Sequence, residues 1–218
     1  MAKIADISVD LVAHMGSDND IANAARVSFS KDAANFTDAQ NQSLINYLAK
    51  HKHYSPFNHT FLTFRIKAPI FVARQLVKHK FMPWNEVSRR YVDEEPEFYI
   101  PQVRSKADNV KQGSGGVHYN QFNIQENIRD HCSDSVIQYN SLLADGVAPE
   151  IARCVLPQNM MTEWFWSGTL GAYTDMLRLR LDKHTQYESQ IVATKIVDLI
   201  SPLFPTSLAA LLKTYDEK

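Results

Sequence analysis

Two cysteines are all that this chain of 218 residues contains. Cys132 and Cys154 have neither metal-ligand spacing nor the number needed for a disulfide framework, which points to a reducing cytoplasm. Cys154 is followed by Val155, with no neighbouring base, so a cysteine nucleophile has little support. Glycine is also sparse, at seven residues. There is no dinucleotide fingerprint, no phosphate-binding P-loop and no GxSxG elbow. No apolar run approaches membrane-spanning length, and the opening MAKIADISVDLVAHMG is too polar for a signal peptide. An excess of one charge sign is missing too: the net charge is −1, which argues against a broad nucleic-acid-binding surface. Redox or carbon-transfer chemistry would therefore have to be carried by a bound cofactor.

What is present reads as one domain over residues 1–218, long enough for one substantial core. IADISVDLVAH alternates like a strand, and DNDIANAARVSF opens on caps and continues as a short helix. Thr37 and Gln40 make a capping box for a helix with Leu44, Ile45 and Leu48 on one face. HTFLTFRIK has period two, with Leu62, Phe64 and Ile66 on the buried side. Pro69 then starts a helix expected to run through IFVARQLVKHK, setting Arg74 a turn before Lys78 and Gln75 a turn before His79. After Pro83 a loop is expected, and QVRSKADNVKQGSGG reads as a flexible excursion. Residues 119–143 form a long helix, Pro149 begins a short one, and NMMTEWFWS is a strand. Two further helices break near Asp182 and Lys183. Few strands, not regularly interleaved with helices, favour an α+β fold.

The stretch QLVKHKFMPWNEVSRRY concentrates chemistry in a nearly neutral protein. Lys78, Lys80, Arg89 and Arg90 alone would suit a solvated surface. With Asn85, Glu86, Ser88 and Trp84 among them, they also suit a phosphate gripped by cations and a base held by fixed polar partners. His51, His53 and His59 lack a completing carboxylate for a metal, and a capping or ligand-contacting role is open to His53. Arg178 and Arg180 sit two apart on a helix, so one can face solvent while the other enters a site. Asp182, His184, Gln186 and Glu188 follow as dense polarity, readable as a capped helix break. Arg153 lies in the largely apolar EIARCVLP, where a buried arginine needs an anionic partner, whether a protein carboxylate or a ligand.

Several blocks together resemble the flavin-dependent thymidylate synthases. The family signature is an Arg-His-Arg triplet, seven residues, then Ser. Here KHK at 78–80 precedes Ser88 by that interval, between APIFVARQ and NEVSRRYV. HYSPFNHTFLTFRIKAP, ARCVLPQNMMTEWFWSG and LRLRLDKHTQYE are similar to further family blocks, and the likeness spans residues 25–190. The resemblance implies reductive methylation of dUMP to dTMP, with methylenetetrahydrofolate as carbon donor and FAD reduced by NADPH. It also implies a small, mainly antiparallel sheet under a layer of long helices. The partners it implies are small molecules and sister subunits in a homotetramer with shared active sites; nucleic acid and membrane are not expected.

Carried over by position, the FAD contacts are His53, Ser55, Lys78, His79, Lys80, Glu86, Thr169, Leu170, Gly171 and Asp175. The dUMP contacts are Gln75, Lys78, Glu86, Val87, Ser88, Arg89, Arg90, Arg153 and Arg180. The catalytic positions are Arg180, whose guanidinium beside the uracil imide would favour ionisation at N3, and Ser88, a substrate-contacting hydroxyl; no metal is implied. The chain departs from the family at three of these places and at Asn58. Lysine replaces arginine at both ends of the triplet, keeping charge but losing the planar fork. Gly171 stands where many members have arginine, and Asn58 where many have glutamate. Two readings compete with thymidylate synthesis: a hydroxymethylase on the same scaffold, and a nucleotide- or RNA-binding module without catalysis.

Overall fold

The computed structural model describes residues 1–29, 36–91, 94–108 and 113–216. The chain begins with β1 (Lys3–Ile4), β2 (Ser8–Met15), α1 (Asp18–Arg26), α2 (Asp38–Lys50), β3 (Phe61–Pro69) and α3 (Ile70–Leu76). Short strands β4 (Trp84–Glu86), β5 (Glu97–Phe98), β6 (Arg104–Lys106) and β7 (Ser114–Val117) follow. Then come α4 (Gln121–Ala144), α5 (Pro149–Ala152), β8 (Met161–Gly168), α6 (Leu170–Arg180), α7 (Tyr187–Ile200) and α8 (Pro205–Asp216).

The main sheet has the order β2-β3-β8-β4, with every neighbour antiparallel. Alternation in β3 explains its place at the centre. Leu62, Phe64, Ile66 and Ala68 are fully buried and pair across to Gly168, Trp166, Trp164 and Thr162 of β8. Each large apolar side chain removed from water on this face stabilises the fold by roughly 1.5–3 kcal/mol. The opposite face is polar: Thr63 bonds Ser167 at 3.0 Å, and Arg65 pairs with Glu163 at 2.5 Å. Helices cover the apolar face; α6 packs on α7 and α8, α2 on α8, and α7 against β2. A smaller core of Phe98, Cys132, Val136 and Met160 ties α4 to β5. This is the expected α+β arrangement. No helix among the described residues is long and apolar enough to cross a membrane.

The Thr37 capping box forms as expected, with both reciprocal bonds. Three expectations change, and one element had none. The helix after Pro69 stops at Leu76 rather than running through KHK; His79 N–H bonds the Leu76 carbonyl at 3.1 Å, and Phe81 turns the chain at φ +61°. Lys78 and His79 therefore do not stack a turn below Arg74 and Gln75. Trp84–Glu86 is an edge strand, not loop, because Trp84 stacks on Trp164 with ring centroids 4.4 Å apart. The polar excursion contains the β6–β7 hairpin on either side of residues 109–112, which lie outside the described region. The last helix, α8, had no sequence reading. Its first-turn N–H groups at Thr206 and Ser207 donate to the Asp18 carboxylate, at 2.8 and 3.0 Å.

Candidate active site

The site begins with the two ends of the short helix α3. Pro69 fixes the entry and lacks an N–H that would be orphaned there anyway. Seven residues later the helix gives way to a turn that bends His79 back. Arg180, the last residue of α6, meets it: Arg180 Nε donates to His79 Nε2 at 3.1 Å, and Nη2 donates to the Gln75 carbonyl at 2.9 Å. The Gln75 amide is itself clamped by the first turn of α7. Its nitrogen donates to Gln186 Oε1 at 2.6 Å, and its oxygen accepts from Ser189 Oγ at 3.1 Å. Burial, and then the Arg180 charge, push the His79 imidazole down to about 4. A neutral ring with its proton on Nδ1 is what the Arg180 bond requires. Burial lowers Arg180 as well. The guanidinium is thus aimed by two acceptors that carry no charge, and no ion pair among the described residues neutralises it.

Arg178 diverges as expected, donating to the Leu211 carbonyl at 2.6 Å and to Asp175 at 3.1 Å. The break after α6 is held by Asp182, whose carboxylate accepts from His184 N–H at 2.8 Å.

On the other side of α3 lies a cavity of about 900 Å³ lined by Arg74, Glu86, Val87, Arg89 and Arg153 among others. Glu86 ends β4, and its carboxylate accepts from Thr162 Oγ1 at 2.7 Å and Trp84 Nε1 at 3.1 Å. The Val87 N–H is tied to the Glu163 carbonyl at 2.9 Å. Arg89 donates to the Glu94 carbonyl. Arg153 corrects an expectation: it is exposed, not buried against an anion, and its Nε donates to the Glu150 carbonyl at 3.2 Å. α5 is only one turn long, and Ala152 is the residue it buries, while Ile151 before it and Arg153 after it stay exposed. Ser88 and Arg90 lie beyond the cavity lining, with Ser88 Oγ accepting from Arg90 Nε at 3.3 Å.

The remaining candidates gather elsewhere. His53 and Ser55 line a second cavity of about 1020 Å³, whose walls include Phe36, Leu44, Tyr47 and Tyr54. His53 and Tyr47 lie nearly parallel, with ring centroids 6.3 Å apart. Among the described residues no group of three His, Cys, Asp or Glu could hold a metal. Lys78 and Lys80 are exposed on the turn after α3. Thr169 caps α6 through Ala172 N–H at 3.1 Å and donates to Asn58 Oδ1 at 2.8 Å. A Cβ on Gly171 would overlap that same Asn58 oxygen, so the two departures from the family pattern are in contact. Leu170 has its side chain wholly in the core, and Asp175 is exposed. Sequence reasoning missed Thr162 and Glu163, whose only signal was their place in a block already resembling the family, and Ser189, which directly follows another such block.

With this geometry in hand, the comparisons decide the kinship. Residues 10–206 match the thymidylate synthase complementing protein family. The chain belongs to that family. A flavin-dependent thymidylate synthase of Kosmotoga olearia is 40% identical over 207 residues, covering 94% of this chain and 89% of the relative. That of Ehrlichia ruminantium (strain Gardel) is 38% identical over 210 residues, covering 94% and 70%. The crystal structure of a UMP/dUMP methylase, PolB from Streptomyces cacaoi, bound with 5-Br dUMP, superposes with a TM-score of 0.89 at 30% identity. That match covers 98% of this chain and 97% of PolB. Family membership therefore rests on nearly the whole chain rather than on the altered KHK triplet.

Proposed function

We propose that this chain, acting as one domain, synthesises dTMP by reductive methylation of dUMP with a bound flavin. The observation that carries the reading is Arg180, a partly buried guanidinium held by His79 and the Gln75 carbonyl with no carboxylate partner among the described residues. Placed against a uracil imide, such a cation stabilises the N3 anion and makes C5 more nucleophilic. Gln75, Lys78, Glu86, Val87, Ser88, Arg89, Arg90 and Arg153 would supply the other dUMP contacts, with the Ser88 hydroxyl orienting substrate.

The residues fit FAD. The cavity at His53 and Ser55 has aromatic walls suited to a flat ring system. Lys78 and Lys80 offer charge for a diphosphate, His79, Glu86, Leu170 and Asp175 complete the set, and a flavin bound there supplies the reducing electrons. NADPH is the reductant and methylenetetrahydrofolate the carbon donor. The candidate residues fall in three places on one chain, and a homotetramer that brings those places together across subunits accounts for the division. The enzyme works in the cytoplasm.

The test is turnover with dUMP, methylenetetrahydrofolate, NADPH and FAD, with the nucleotide product weighed by mass spectrometry and UMP run in parallel. A mass gain of one methylene unit on dUMP is expected. A hydroxymethyl product, or a protein that takes up no flavin, would overturn the proposal.

A further inference from the structure

The cavity beside α3 contains cations that the protein has already committed and one that it has not. Arg65 is paired with Glu163, and Lys3 and Lys67 both hold Glu97. Glu94 and Glu95 act on Lys3 from that same end. Arg89 and Arg153 each donate to a backbone carbonyl. Arg74 lines the same wall, is exposed, and has no hydrogen-bond or ion-pair partner among the described residues.

Its direction follows from the helix. Ile70 and Arg74 are one turn apart and both line the cavity, whereas Gln75, the next residue, is clamped by α7. Arg65 on β3 and Glu86 on β4 bound the same space. Glu86 accepts from Thr162 and Trp84 and makes no ion pair with Arg74. A guanidinium in a concave site that Arg153 also lines, without a carboxylate partner among the described residues, matches a phosphate monoester: two of its N–H groups can meet two phosphate oxygens at once.

We infer that Arg74 is a further anchor for the 5′-phosphate of the nucleotide substrate, an assignment that rests on the dUMP reading above. It lies outside the residues carried over from the family and outside the KHK triplet. Its contribution is to the charged end of the substrate, while Arg180 serves the base.

The test separates phosphate from nucleoside. Affinities of the flavin-loaded protein for dUMP and for deoxyuridine are measured by calorimetry in the native chain, Arg74→Gln, Arg74→Lys and an Arg129→Gln control on α4. The Arg74→Gln variant should lose on the order of 10- to 100-fold in dUMP affinity, the range for a charge-assisted bond, and less than about twofold for deoxyuridine. Arg74→Lys should recover part of the dUMP loss, and the control should change neither ligand. Equal losses for both ligands, or an unchanged preference for dUMP in Arg74→Gln, would overturn the assignment. A native chain that binds neither ligand would sink the function reading and this inference with it.

Discussion

Arg74 and Gln75 are consecutive on a seven-residue helix, yet they serve opposite kinds of environment. Gln75 belongs to a prewired knot, in which its amide, its carbonyl, His79, Ser189, Gln186 and Arg180 satisfy one another before any ligand arrives. Arg74 lines an open cavity and has no hydrogen-bond or ion-pair partner among the described residues. Successive helical residues project about 100° apart, so one short helix can serve both. The difference separates the two tasks a nucleotide enzyme must perform. A group that stabilises charge developing in a transition state gains from being fixed in advance. A group that captures a phosphate gains from being hydrated, accessible and unpaired until the ligand displaces its water.

The largest effect should come from breaking the knot's scaffold. Glu188, in the first turn of α7, is 2% exposed and meets Arg104 of β6 at 3.2 Å, with the Tyr187 ring 4.4 Å from the same guanidinium. Removing one partner of such a pair leaves a desolvated charge, so Glu188→Ala should cost about 3–5 kcal/mol. For a chain of this length, that lowers the melting temperature by roughly 6–20 °C. An Arg104→Met/Glu188→Leu double variant should recover most of the loss, because apolar replacement of both partners removes the stranded charge. A double variant as unstable as the single one would show that the pair is not what anchors α7.

Next is Arg180→Ala, which tests the knot itself. Loss of a pre-aimed charge at the reacting centre should reduce turnover on the order of 100- to 1000-fold. Bound flavin, read by absorbance, should stay within about twofold, because His79 is the one proposed cofactor contact bonded to Arg180 among the described residues. Equal loss of flavin and turnover would mean that Arg180 holds the cofactor rather than acting on the pyrimidine.

How much of this was legible beforehand depends on range. The β3 alternation, the Thr37 box and the helix break at Asp182 are written in residues within one turn or one strand of each other, and all three formed. The end of α3, the β4 strand and the environment of Arg153 were misread because distant partners decide them. Trp84 is drawn into the sheet by Trp164 and Trp166, some eighty residues on, and local turn chemistry cannot announce that. The Gln75 contacts reach across 111 and 114 residues. The two arginines of α6 were correctly expected to diverge, but not where each would go.

A smaller effect sharpens the meaning of the departures at 58 and 171. Gly171 lies in the first turn of α6, where alanine would ordinarily gain about 0.5–1 kcal/mol over glycine. Its Cβ would displace Asn58 from Thr169, at a cost of about 1 kcal/mol for the lost bond. Gly171→Ala should therefore be close to neutral in the native chain and stabilising in an Asn58→Ala background, measured by urea denaturation. Additive effects would show that the two positions changed independently of one another.

The mildest perturbation needs no lost contact, only a proton. His79 is held near 4 by burial and by the neighbouring guanidinium, against an ordinary value of 6.5. Above 6.5 the imidazole is neutral in both folded and unfolded chains, and its contribution to stability is complete. As the pH falls from 6.5 toward 4, the unfolded chain takes up a proton that the folded chain refuses, so stability is lost across that window. Once the folded ring is protonated, Nε2 becomes a donor facing Arg180 Nε, and the guanidinium is released. Glutamine at this position keeps an acceptor for Arg180 but cannot titrate. The native chain should therefore lose more melting temperature between pH 7 and pH 5 than His79→Gln does, and the other histidines contribute equally to both. Parallel pH profiles would mean that the ring is already free of Arg180 in solution. The knot would then be assembled by the nucleotide instead of waiting for it.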